Sequence, residues 1–167
     1  MSLETLFRAV YEAPELDTPR HVLADALQME GAPRGDFIAL QLRDSVISRR
    51  RSAKLLIRHR DAFLGELREV VVNPLGAKRA GTVHEQWEKG FLVECTVRLS
   101  GTTVDCEAWA TVRTLHVFAQ PELPGELASP HFGALREVFV YETYQLTDEA
   151  RTLLDALEAR GVRVTRG

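Results

Sequence analysis

Val112-Arg113-Thr114-Leu115-His116-Val117 is echoed by Leu135-Arg136-Glu137-Val138-Phe139-Val140 and again by Ala159-Arg160-Gly161-Val162-Arg163-Val164. Each phrase is apolar at its first, fourth and sixth places. The phrases begin at 112, 135 and 159, steps of 23 and 24 residues. An L-x-x-L-x-L core at a period in the twenties is the signature of a leucine-rich-repeat solenoid. Working backwards, Phe91 to Leu99 alternates as a strand, with Cys95, Val97 and Leu99 on one side. Read as a degenerate first repeat, it starts at Glu94, a short step of 18 before Val112. Short helices are predicted near Val104–Ala110 and Glu126–Phe132, and a longer one over Asp148–Arg160. Thr147 caps the long helix and Gly161 closes it. Strand, helix, strand at this spacing predicts parallel neighbours joined by right-handed crossovers.

Side chains alternate faces along a strand. If Leu115, Val117, Val138, Val140, Val162 and Val164 point inward, the outward row is Thr96 and Arg98, then Thr114, His116 and Phe118, then Glu137, Phe139 and Tyr141, then Arg163 and Thr165. Aromatic and Arg side chains concentrate there, and one such anchor buried at an interface contributes about 2 kcal/mol or more. Arg98, His116, Phe118, Glu137, Phe139, Tyr141 and Arg163 are therefore the candidate partner-binding residues. The alternative is that helices or a loop of the chain cover this face. Thr102, Gln120 and Thr143 follow the strands and are assigned to bonding the turn backbone. The last predicted strand has a free edge, which offers a place for homo-oligomer pairing; Arg163 and Arg166 would discourage uncontrolled pairing there.

Ahead of the repeats the period is helical. Ser2 caps a first helix bearing Leu3, Leu6, Phe7 and Val10, which Pro14 ends. Thr18 caps a second, with Pro19 at its first position, Val22, Leu23, Ala26 and Leu27 on its apolar face, and Gly31 beyond its last turn. A third helix is predicted to carry Phe37, Ile38, Leu40, Leu42, Val46 and Ile47. A fourth is predicted from about Ser52 to Val70, burying Leu55, Leu56, Phe63, Leu64 and Leu67, with Gly65 as a dividing point. Residues 73–81 are rich in breakers and read as a linker. The predicted fold class is thus α/β: a helical cap over residues 1–72, then a short leucine-rich-repeat-like arc with a parallel sheet over residues 82–167. The two are expected to form one continuous unit.

Leu6-Phe7-Arg8-Ala9-Val10-Tyr11, Asp17 to Leu27, and Gly31-Ala32-Pro33-Arg34-Gly35-Asp36-Phe37-Ile38 together resemble the start of the bacterial repeat-companion domain. His59 with Phe63-Leu64-Gly65, and Trp87-Glu88-Lys89-Gly90-Phe91, are similar to that family's middle section. Ala26 stands where the family usually has Trp, and Ala32 where Asp is common. The resemblance implies a helical module running into degenerate leucine-rich repeats. It implies no particular activity.

Charge narrows the function classes. With 21 Lys+Arg against 24 Asp+Glu, net −3, bulk charge favours neither nucleic-acid nor membrane binding. One dense basic run interrupts this balance: Arg49, Arg50, Arg51, Lys54, Arg58 and Arg60, with Arg43 before it. Arg50, Lys54 and Arg58 share a helical face and define an alternative reading as an accessory binder of nucleic acid or another polyanion. Asp25 or Asp36 is expected to pair with Arg34 beside the tight Gly31–Gly35 connection. The histidines, including His84, match no metal-ligand spacing with Cys, Asp or Glu. No nucleotide-loop, hydrolase or metalloprotease motif is present. The expectation is a non-catalytic protein without cofactor or metal, acting as an adaptor for another protein. An enzyme would need a cleft using Asp25, Asp36 or His84. With no apolar run near the roughly 20 residues of a membrane span, no export signal at Met1, and two cysteines read as reduced thiols, a cytoplasmic location is expected.

Overall fold

A computed structural model describes residues 1–72, 83–97, 104–119, 125–142 and 145–167. The predicted linker at 73–81, and Arg98, Leu99, Thr102, Gln120 and Thr143, lie outside these. Two compact units are formed, Met1–Gly65 with Trp87–Phe91, and Glu66–Gln86 with Leu92–Gly167.

The first unit holds four helices: α1 (Leu3–Glu12), α2 (Thr18–Met29), α3 (Pro33–Arg43) and α4 (Val46–Leu64). The Ser2 side chain accepts from the Thr5 backbone N–H and caps α1. Leu6, Val10, Leu23, Ala24, Leu27, Ile38 and Phe91 make its core. Gly35 is required by the close approach of α2 and α3: a Cβ there would lie 2.7 Å from the Gln28 backbone N and 2.8 Å from the Ala24 carbonyl oxygen.

Several expectations for this unit are corrected. Thr18 is the first residue of α2 rather than its cap; Asp17 holds the cap position without a side-chain hydrogen bond. The third helix stops at Arg43, and Val46 and Ile47 open α4 instead. Asp44 turns left-handed at φ 40°, and the Ser45 hydroxyl accepts from the Ser48 N–H. The helix therefore starts before Ser52, the expected beginning, and Ser52 is buried inside α4, donating to the Arg49 carbonyl. Nor does Arg34 pair with an aspartate. Its guanidinium donates to the carbonyls of Phe63 (2.7 Å) and Gly90 (3.4 Å) and sits 5.0 Å from the ring centres of both Phe7 and Phe91. Asp36 accepts from Gln28 at 2.7 Å, and Asp25 is exposed. The fourth helix, expected to run to Val70 with Gly65 as a dividing point, ends instead at Leu64, with Gly65 as its cap at φ 57°.

The sheet runs β1 (Glu85–Glu88), β2 (Phe91–Val97), β3 (Thr114–Ala119), β4 (Glu137–Glu142) and β5 (Arg163–Arg166), in that order. A two-residue turn joins β1 to β2. Both its residues, Lys89 and Gly90, have positive φ, the pattern of a tight hairpin turn. From β2 to β5 the neighbours are parallel. The first two crossovers carry 3-10 turns, at Glu107–Thr111 and Gly125–Ala128. The third carries α5 (Asp148–Ala159), capped by Thr147 and closed by Gly161 at φ 83°. Cys95, Val97, Leu115, Val117, Val138 and Val140 are buried, as are Trp109, Leu127, Phe132, Leu154 and Leu157. Trp109 and Phe132 meet at 4.9 Å, and the Trp109 indole donates to the Val104 carbonyl.

The middle pairing is the predicted one, Leu115 with Val138 and Val117 with Val140. Both outer pairings are displaced by two residues. Leu115 faces Cys95, so the first phrase begins at Leu92 rather than Glu94. Val138 faces Val164 rather than Val162, because the Val162 N–H still closes α5 on the Leu157 carbonyl. The described residues therefore define a mixed α/β protein with five α-helices and a mostly parallel five-stranded sheet. No helix among them is long and apolar enough to cross a membrane.

Candidate functional site on the outer sheet face

A displacement of two residues leaves every side chain on its predicted face. Thr96, His116, Phe139 and Thr165 form one row across the sheet. Glu94, Thr114, Glu137 and Arg163 form the row before it, and Phe118 with Tyr141 the row after. Arg98 lies outside the described residues. Neighbouring parallel strands are roughly 4.8 Å apart, so flat rings in one row can stack. His116 and Phe139 do so at 4.8 Å and 9°. Phe118 and Tyr141 do so at 5.1 Å. Arg163 and Glu137 are joined by an ion pair at 3.3 Å.

The residues of this row differ in accessibility. Phe118, Phe139, Tyr141 and Glu137 are half-buried, and Arg163 is exposed. His116 is only 3 % exposed, which removes it from the surface expected to meet a partner. His84 and Phe139 both pack on His116, and the His84 ring lies nearer, with centroids 3.9 Å apart and planes 11° from parallel. Two backbone contacts hold His84 there: its N–H donates to Thr96 Oγ1 (2.8 Å), and its carbonyl accepts from the Thr96 N–H (2.9 Å).

Both nitrogens of His116 are engaged. Nε2 lies 2.9 Å from Glu94 Oε1, and Nδ1 lies 3.0 Å from the Tyr141 hydroxyl. Burial lowers the His116 pKa below the ordinary histidine range, opposed by the Glu94 hydrogen bond and reinforced by His84. The lowered pKa favours the neutral ring, which donates through one nitrogen and accepts through the other. With the Glu94 oxygen as acceptor, the donor is Nε2–H, and the Tyr141 hydroxyl donates to Nδ1. His84 Nδ1 lies 3.5 Å from the same Glu94 oxygen.

Neither His84 nor Glu94 was a sequence candidate for this face. Glu94 was detectable, because it shares the parity of Thr96 in β2. His84 precedes β1 and belongs to no repeat phrase, so only the register reveals it.

The basic run also gains a setting, within the helical unit. Because α4 is continuous from Val46, Arg50, Lys54 and Arg58 do share one face. Lys54 and Arg58, with Arg43 and Arg51, line a groove of about 490 Å³ whose apolar lining is Ala39, Leu40 and Leu55. Arg50 is not part of that lining. Gln28 and Asp36 complete it, with the Asp36 carboxylate bonded to Gln28.

Comparison with protein-family models, with curated proteins and with solved structures finds no match to this chain.

Proposed function

We propose that this chain is a non-catalytic protein–protein interaction module, an adaptor or scaffold with a repeat-companion-like helical part and a leucine-rich-repeat-like sheet. Its partner is another protein, bound in the cytoplasm through the outer face of β3 and β4. The observation that carries this reading is the paired ladder of rings, His116 on Phe139 and Phe118 on Tyr141, with Phe118, Phe139 and Tyr141 each leaving part of the ring to solvent. Preorganised rings lose little side-chain entropy on binding and contribute large contact areas. Glu137 and Arg163 supply charge at the rim, where it selects a partner more than it strengthens binding. The test is affinity capture from the native host with the wild type and the Phe118→Ala/Tyr141→Ala double variant. A partner that binds the wild type and is lost by at least tenfold with the double variant supports the reading. Equal recovery removes this surface.

The free edge of β5 is the proposed place for self-association of two copies. A monomer at every concentration in mass-resolved size exclusion excludes it.

A second reading rests on the basic groove of the helical unit: an accessory site for nucleic acid or another polyanion. Four cations around one groove would bind phosphates with steep salt dependence. Fluorescence anisotropy with generic DNA and RNA at low salt tests it. Binding abolished by charge reversal at Arg51, Lys54 and Arg58 supports it, and absence of binding at low salt ends it.

A further inference from the structure

We propose that His84, Glu94 and His116 form a binding site for one divalent transition-metal ion of the zinc class. The inference is independent of partner binding through the aromatic ladder. Two imidazoles and a carboxylate are donors suited to such an ion and poorly suited to calcium or magnesium, which take oxygen ligands. One ligand atom from each of the three residues lies within 4.8 Å of those of the other two. The Glu94 oxygen is already 2.9 Å from His116 Nε2 and 3.5 Å from His84 Nδ1.

The three residues come from separate segments that the sheet aligns. His84 leads into β1, Glu94 is in β2 and His116 in β3. The two hydrogen bonds between the His84 backbone and Thr96, one to its hydroxyl and one from its N–H, fix the first, and pairing of β2 with β3 fixes the other two. The Tyr141 hydroxyl at His116 Nδ1 is the outer partner that a metal-bound imidazole needs to hold its orientation.

Capture of the ion requires two local changes, both open to this geometry. Nε2 of His116 must give up its proton to present a lone pair. The ring stays neutral by taking the other tautomer, with Nδ1–H donating to the Tyr141 oxygen, which the rotating hydroxyl permits. The two rings are stacked with planes 11° from parallel, so one must turn for both to meet a single ion. His84, 40 % exposed, can turn; His116, packed between His84 and Phe139, is fixed. Three protein ligands leave a further coordination position for water or for a side chain of a bound protein.

The test uses the full chain, stripped with a chelator and titrated calorimetrically with zinc, with cobalt(II) absorption as an independent readout of tetrahedral coordination. The expected result is one ion per chain and visible cobalt bands. His84→Ala and Glu94→Gln should each weaken binding by at least about tenfold, and Tyr141→Phe by roughly 10–100-fold, the usual effect of removing an outer partner. The exposed His21 serves as control, and His21→Ala should leave binding unchanged. Because His84 is half-exposed, its variant tests the site without emptying the core, and circular dichroism verifies its folding. No saturable zinc binding by the wild type, or binding unaltered in both His84→Ala and Glu94→Gln, overturns the proposal.

Discussion

Glu94 accepts a hydrogen bond from His116 Nε2 at 2.9 Å, reaching diagonally from β2 to β3 because Glu94 itself pairs with Thr114 in the ladder. This diagonal bond ties the buried imidazole of the outer face to a partly exposed charge. Glu94→Leu leaves the donor of His116 without an acceptor and should cost about 1–3 kcal/mol, whereas Glu94→Gln keeps an oxygen in place and should cost less. Urea unfolding of the two variants checks the order, which reverses if Glu94 only repels Glu137 across the sheet.

Arg34 holds the helical unit from inside. Its guanidinium serves two carbonyls and lies against Phe7, Phe63 and Phe91. Burial lowers its pKa. Arg34→Ala removes donors from the Phe63 and Gly90 carbonyls and empties the space between rings, so a loss on the order of 3 kcal/mol is expected. Arg34→Lys should recover little of it, because an ammonium cannot reproduce the planar fork. A lysine variant as stable as wild type in chemical denaturation would show that charge alone suffices.

Gly35→Ala inserts a methyl against backbone atoms of α2 at 2.7 and 2.8 Å, where no flexible side-chain end can give way for both. The helices must separate, at about 1–3 kcal/mol. An unchanged melting temperature would mean that α2 and α3 pack less closely than described.

Arg163→Glu replaces the ion pair with Glu137 by a repulsion on the outer face. Arg163 is well exposed, so stability should change by less than about 1 kcal/mol. Partner binding should fall, and mainly through slower association. Surface plasmon resonance with the captured partner separates the two rates. A change confined to dissociation would place Arg163 inside the contact rather than at its rim.

Cys95 is buried, and burial raises the pKa of the Cys106 thiol. The Cys106 thiol should therefore stay protonated, and both cysteines should alkylate slowly with iodoacetamide at pH 8 in the folded chain, Cys95 for want of access, and quickly in urea. Rapid native labelling of Cys106 would contradict this environment.

The sequence was legible where a local pattern has one physical solution. The inward residues of β3 and β4 are apolar at fixed offsets, and their pairing follows. The pattern cannot measure how much chain a crossover consumes. The row Glu94, Thr114, Glu137 and Arg163 is spaced 20, 23 and 26 residues, whereas the phrases fall at steps of 18, 23 and 24, which misplaces both outer strands by two. Faces survive a shift of two, which is why the outer row was readable although its register was not. Local charge proximity likewise suggested aspartate for Arg34, when its surroundings are rings and carbonyls brought from far along the chain. The break between α3 and α4 carries neither Gly nor Pro, so the apolar pattern runs on through it to Val46 and Ile47. His84 lay beyond reach because its place depends on the hairpin that precedes the repeats.

The central claim, that the ring ladder of β3 and β4 is the contact surface, is tested most directly by site-specific photo-crosslinking. A benzophenone amino acid is placed at Phe118 or Tyr141, and in a parallel chain at the exposed Thr152 of α5. The account predicts one specific protein adduct in the native host from positions 118 and 141 and none from 152. The same adduct from all three positions, or from 152 alone, would contradict it.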